Sequence, residues 1–147
     1  MANFPALQPA FTIQPMTGGT IKSEPGYSPS FDSEFVGVGN DYIHADPDGK
    51  HLRLNAHGVV KTNDGALVYL NYTGTIAVTP AEASVLSGQA ESTVTPYGNS
   101  FTHITFETGD ERYKDLENRV FVGQGHFIVE KGKPTIVEYK VSQVVKG

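Results

Sequence analysis

Two β-rich runs, His51 to Thr62 and Ala66 to Val78, are joined by Asn63-Asp64-Gly65. No other feature constrains the fold of this 147-residue chain as strongly. Glycine adopts the positive φ of a tight turn at no steric cost, so Asn-Asp-Gly between such runs predicts an antiparallel hairpin. With Gly65 in the left-handed position, Thr62 pairs with Ala66 and even-numbered positions share a face. That face carries Leu52, Leu54, Ala56, Val60, Val68, Leu70, Tyr72 and Ile76. The opposite face carries Arg53, Asn55, His57, Val59, Lys61, Leu67, Tyr69, Asn71 and Thr73. A two-residue loop would mix apolar and polar positions, so the pattern itself selects the register.

The rest of the chain reads as β-structure with many turns. It holds 16 glycines, 9 prolines, 7 tyrosines and 8 phenylalanines, a composition of short strands and sharp reversals. Further strands are predicted at Ala10 to Gln14, Gly19 to Ser23, Glu34 to Val38, Asp41 to Ala45, Ser100 to Thr108, Arg119 to Glu130 and Thr135 to Val145. Lys22 to Asp32 reads as a loop. Thr79-Pro80-Ala81-Glu82 has the form of a capping box with proline at the first helical position, and Gly88 supplies a stop. A second short turn is predicted at Asp110 to Glu117. The length suits one domain, residues 1–147, with residues 1–17 as an extended arm. Sequential hairpins with little helix point to a barrel or a sandwich. Strands long enough to curl, and Gly74 as a place to bend, favour an all-β antiparallel barrel with one short helix.

Composition excludes several functions. The chain has no cysteine, which removes disulfides, thiolate catalysis and cysteine-ligated metals. Its net charge of -5, without a Lys/Arg cluster, disfavours nucleic acid and anionic membrane partners. No apolar run approaches the roughly 20 residues of a membrane span. The start, broken by prolines, is not a signal peptide as it stands, which favours a cytoplasmic protein. The sequon Asn71-Tyr72-Thr73 keeps open a secreted one whose signal was removed.

Two readings of the hairpin faces follow. In one, the apolar face is core and the mixed face is solvated. In the other, the mixed face lines a lumen for a ligand, where His57, Tyr69 and Asn71 would cluster with Asn55 and Arg53. The strand Ser100 to Thr108 adds Phe101, His103, Thr105 and Glu107 on the side opposite Ile104 and Phe106. The strand Arg119 to Glu130 sets Phe121, Phe127 and Val129 opposite Val122, Gln124, His126 and Ile128. Gly123 and Gly125 leave gaps that can admit a ligand or a neighbouring backbone.

Five blocks carry a family resemblance: Thr17-Gly18-Gly19-Thr20, Asp46-Pro47-Asp48-Gly49, Thr62 to Tyr69, Phe106 to Tyr113 and Asn118 to Gly125. In order, they resemble the blocks of the family called domain of unknown function 3237, over nearly the whole chain from Gly18. The resemblance implies a small lipocalin-like barrel with a central pocket. Fungal members resemble proteins encoded beside natural-product pathways, where small barrels bind or cyclise reactive intermediates. It also implies that Asp110 to Asp115 lies near the mouth, in a gating position. The chain departs from the family pattern at Asn55, His57 and Gly58, where an Asp, an Arg and a Tyr are usual. It has no tryptophan, and Asp115, Leu116 and Glu117 fill the place of the usual one.

The five histidines, His44, His51, His57, His103 and His126, have no chelating spacing. His51 and His57 share a face but lie roughly 20 Å apart along a strand. No metal and no cofactor is expected. No nucleophile elbow, phosphate loop or dinucleotide fingerprint is present. General acid–base chemistry remains, with His57, His126 and Tyr69 as candidate catalytic residues. Asn71, Asn55, Arg53, Phe101, His103 and Glu107 are candidate ligand contacts, and Glu107 or Asp110 would rise in pKa in an apolar site. The expected function is cofactor-free isomerisation or cyclisation of a small, mostly apolar natural-product intermediate. The alternatives are a carrier barrel without turnover and a module that forms a homodimer.

Overall fold

The computed structural model describes residues 2–15 and 18–147. Its strands are β1 (Ala6–Gln14), β2 (Thr20–Ser23), β3 (Asp32–Asp41), β4 (His44–Ala45), β5 (His51–Thr62), β6 (Leu67–Ala77), β7 (Thr93–Val94), β8 (Ser100–Glu107), β9 (Phe121–Val129) and β10 (Ile136–Val145). One α-helix, α1 (Pro80–Leu86), follows β6, and a 3-10 helix, Lys114–Asn118, precedes β9. Eight strands close a ring in the order β1-β2-β3-β5-β6-β8-β9-β10, with β10 returning to β1. The pairings are antiparallel, and β4 and β7 attach outside the ring to β5 and β9. Closure leaves the ring without a free edge. No described helix is long and apolar enough to cross a membrane.

The β5–β6 hairpin has the register its turn dictates. Gly65 has φ +91°, and Thr62 N–H donates to the Ala66 carbonyl at 2.8 Å. Leu54, Ala56, Val60, Val68, Leu70, Tyr72 and Ile76 are all buried inside the barrel. In β8 the side chains alternate without interruption, Ile104 and Phe106 inward, Phe101 and His103 outward. Gly74 lies where β6 meets β8 closely: a Cβ there would fall 2.4 Å from the Phe101 carbonyl oxygen.

Several expectations need correction. The expected N-terminal arm is largely a stave of the barrel, because β1 starts at Ala6 and pairs with both β10 and β2. Thr17, part of the first family block, lies outside the described residues, as do Met1 and Met16. The strands expected at Glu34 to Val38 and Asp41 to Ala45 divide differently. β3 runs through to Asp41, and β4 is a two-residue bridge. Thr79 does stand at the helix N-cap, but its hydroxyl donates to the Glu82 carboxylate and does not accept from a helix N–H. Glu82 is buried and also accepts from Asn99 Nδ2 at 3.0 Å, so it ties α1 to the barrel.

β3 carries a bulge. Val36 pairs with Val59, but the next pair is Asn40 with His57, an offset of two residues. Gly37 turns the chain with φ +67°, and Gly39 presses so near the His57 carbonyl oxygen that a Cβ would lie 2.9 Å from it. An even offset preserves side-chain parity, so Phe35 and Asp41 face the same side of the sheet.

The two ends of the barrel differ. At the end holding the hairpin turn, Phe11 packs its ring against Tyr27, Phe31, Phe106 and Phe121 at centroid distances of 5.0 to 5.7 Å. Leu116 and Tyr113 close this end from below, with Tyr113 O–H donating to Asp64 Oδ2 at 2.6 Å. Arg112 pairs with Asp64 at 3.1 Å and with Asp110 at 2.8 Å. The segment Asp110 to Asp115 therefore braces the packed end, and the gating position implied by the family resemblance is not where it lies. The interior opens toward the other end, beyond Ala56 in the middle of β5.

Candidate functional site

Ala56 sits on the inward row of β5 between two larger polar residues. Asp41 of β3 is its partner on one side and Tyr72 of β6 on the other. Adjacent strands lie about 4.8 Å apart, so Asp41 and Tyr72 are separated by about 10 Å with only a methyl group between them. Partners opposite one another in a ladder project to the same face, which brings both groups to the lumen. Tyr139 of β10 joins them, its ring centroid 5.3 Å from that of Tyr72. Gly125 of β9, the cross-strand partner of Tyr139, has no side chain to exclude that ring.

These three groups border a cavity of about 390 Å³. Its walls are mostly apolar and include Phe35, Leu54, Leu70, Ile76, Phe127 and Val137, with Asn40 and His57 also at its border. Ile43 and Leu86, both partly exposed, stand at its mouth. No lysine or arginine lines it. An eight-stranded barrel has an interior just wide enough for packed side chains or one small ligand. Ala56 leaves space at this end, and Gly58 makes room for the Phe35 ring that walls it.

Electrostatics separate the three polar groups. Asp41 lies at the rim, where partial burial raises its pKa above the ordinary value, opposed by the Asn55 N–H it accepts at Oδ1 (3.1 Å) and by nearby His57. Burial pushes the Tyr139 hydroxyl up to about 12, with the Asp41 charge adding to the rise. Burial raises Tyr72 further still, helped by Tyr139 and Asp41. Both phenols are therefore neutral donors across the physiological range, facing the Asp41 carboxyl group.

The mixed face of the hairpin is the outside of the barrel, so the reading that made it the lumen is overturned. The physical reason is closure: a narrow interior takes the apolar face of every strand, leaving the mixed face outward. His57, Tyr69, Asn71 and Asn55 do come together there. His57 Nδ1 and the Tyr69 hydroxyl share a 2.5 Å hydrogen bond, and Asn71 Nδ2 donates to Asn55 Oδ1 (3.0 Å) and the Ala56 carbonyl (2.8 Å). Glu107 is exposed on the same outer face, opposite Tyr69. Arg53 is held by Asp46 through two hydrogen bonds of 3.1 and 2.9 Å. With Phe101 and His103 it borders a separate groove of about 980 Å³ on the outer wall.

His126 is also outside the cavity. It stacks on Tyr97 at 4.1 Å, Nδ1–H donates to the Thr95 carbonyl (3.1 Å), and Nε2 lies 3.4 Å from Glu138. Burial works against the charge of Glu138, but hydrogen bonds from Gln14 and His126 outweigh it and hold its pKa below the ordinary value. This cluster fastens the segment after β7 to the barrel wall. Among the described residues, no three His, Cys, Asp or Glu side chains are grouped to hold a metal ion.

Asp41, Tyr72 and Tyr139 were not among the candidate site residues read from the sequence. A signal existed: Tyr72 is the one tyrosine on the even face of the hairpin, beside an alanine where neighbours are Leu and Val. Polar atoms on an inward face need a partner, and a ligand can be that partner.

Three solved structures share this architecture. A conserved protein of unknown function from Rhodopseudomonas palustris superposes with a TM-score of 0.75 at 23% identity, over 99% of this chain and 100% of that one. A protein with unknown function from Clostridium acetobutylicum gives 0.71 at 20%, over 96% and 99%. A β-barrel-like protein from Acinetobacter baumannii gives 0.66 at 20%, over 98% and 99%. At these identities the likeness establishes the fold. No curated protein matches the chain. Residues 5–144 match the model of a family described as "Protein of unknown function (DUF3237)".

Proposed function

Since the chain belongs to the DUF3237 family, whose description names no reaction, we propose a function from the cavity itself. It holds a small, mostly apolar organic molecule and isomerises or cyclises it without a cofactor. One observation carries this reading: Asp41, Tyr72 and Tyr139 converge on a mostly apolar space. A carrier needs only shape and apolar area. Polar groups turned inward cost desolvation, and a carboxylate facing neutral phenols is what proton transfer uses. Confinement in a near-attack pose lowers the barrier further. Acid–base work thus falls to Asp41 and the two tyrosines; His57 also borders the cavity, with its ring nitrogen engaged by Tyr69 on the outer face, and Tyr69 and His126 lie outside it.

A carrier without turnover is the second reading, favoured by the extent of the apolar wall. Incubation with a panel of neutral lipophilic compounds, followed by chromatography with mass detection, separates the two. An isomerase gives a product of unchanged mass and altered retention, lost in the Tyr72→Phe/Tyr139→Phe double variant. Saturable binding across the panel with no such product favours the carrier.

A further inference from the structure

We infer that the cavity takes a neutral ketone with an acidic α-hydrogen, and that Asp41 is the base that moves this hydrogen. The inference rests on the cavity reading above and adds the substrate class and the assignment of roles. Neutrality follows from the lining. Among the described residues it offers no lysine or arginine to an anion, the His57 ring at its border is engaged by Tyr69, and Asp41 at the rim would repel one.

The ketone follows from the placement of donors and acceptor. Tyr72 and Tyr139 lie ring to ring on one side of the gap over Ala56, with Asp41 on the other. Two neighbouring phenol O–H groups suit one oxygen on which negative charge develops. A carboxylate across an apolar gap suits a C–H bond next to that carbonyl, the division of labour by which a carboxylate and a phenol enolise ketones elsewhere. Asn55 N–H fixes Oδ1 of Asp41 at 3.1 Å, which orients the carboxylate and leaves Oδ2 to take the proton.

The step balances without a co-reactant. An Asp41 oxygen takes the α-proton, and the C–H electron pair becomes the C=C of the enolate. The carbonyl π pair moves onto oxygen, where the tyrosine hydroxyls hold it. Return of the proton from Asp41 to the same carbon restores the ketone. If the substrate carries a conjugated double bond, return to the γ-carbon shifts that bond. Nothing is oxidised or reduced.

The probe is 2-tetralone, a neutral bicyclic ketone whose α-hydrogens exchange with D2O, followed by proton NMR. 2-Naphthol, a flat enol analogue, reports binding by fluorescence. Wild-type protein is expected to accelerate α-exchange on the order of 10²-fold over buffer, and Asp41→Asn to return it to the buffer rate while still binding 2-naphthol. Tyr72→Phe should weaken 2-naphthol binding relative to naphthalene. Binding of 2-naphthol without any exchange overturns the ketone inference and leaves the cavity reading standing. Failure of 2-naphthol, 2-tetralone and naphthalene alike to bind overturns both. Tighter binding of 2-aminotetralin than of 2-naphthol assigns Asp41 to a cation and overturns the inference by another route.

Discussion

Tyr139 lies against Gly125 so closely that a Cβ at position 125 would meet its ring at 2.4 Å. The contact sets where the Tyr139 hydroxyl stands and, through the tilted contact of the two rings, how Tyr72 faces the cavity. Gly125→Ala is expected to destabilise the fold by about 1–3 kcal/mol, the usual cost of overpacking a filled interior. Urea unfolding measures this. An unchanged midpoint would show that Tyr139 moves aside freely.

Ala56→Leu is expected to fill the gap between Asp41 and Tyr72. Extra apolar volume in an open cavity has room, so stability should change by less than about 1.5 kcal/mol. Binding of a neutral probe such as N-phenyl-1-naphthylamine should fall at least about tenfold, since a displaced ligand loses its apolar contacts. Calorimetric titration alongside thermal melts reads both effects. Retained affinity would place the ligand elsewhere.

The packed end should hold most of the stability. Phe11→Ala removes a fully buried ring from the cluster with Tyr27, Phe31, Phe106 and Phe121, at a cost of about 3–5 kcal/mol. A loss below about 1 kcal/mol in chemical denaturation would mean this end is not a cooperative core.

Asp41 makes stability depend on pH. Its folded pKa is raised above the ordinary 3.8, so folding favours the protonated form. That contribution is fully present below the unfolded value and is lost as pH rises through the folded one. Asp41→Asn, which removes the charge, should melt higher than wild type near neutrality and equal to it once the pH falls below the ordinary carboxylate range. A variant that melts lower at neutrality would give the sign the other way.

The hairpin was legible because one glycine and one alternation decide it. Gly65 fixes the turn, and the Leu-Leu-Ala-Val run fixes the register. The same logic read β8 correctly. What alternation alone does not say is which face becomes the inside, and the polar face attracted the site because its chemistry was visible there. The closure of eight strands settles the matter, since the narrow interior takes the apolar side. Asp41 stayed hidden because the bulge before it broke the pattern into two short strands. Tyr139 stayed hidden because its room comes from Gly125 on another strand, a relation between residues 14 apart that no local window contains.

The bulge around Gly37, Val38 and Gly39 has an evolutionary meaning. If the pairing of Val36 with Val59 continued unbroken, Gly39 would stand beside Ala56 in place of Asp41. Removing the two extra residues would restore an unbroken ladder and leave Asp41 beside Ala56, so the bulge length and the position of the acid in the chain are matched. The place of the acid in this barrel is thus spelled in spacing: the bulge decides whether a glycine or an aspartate of β3 stands beside Ala56, with no substitution in any residue that lines the cavity.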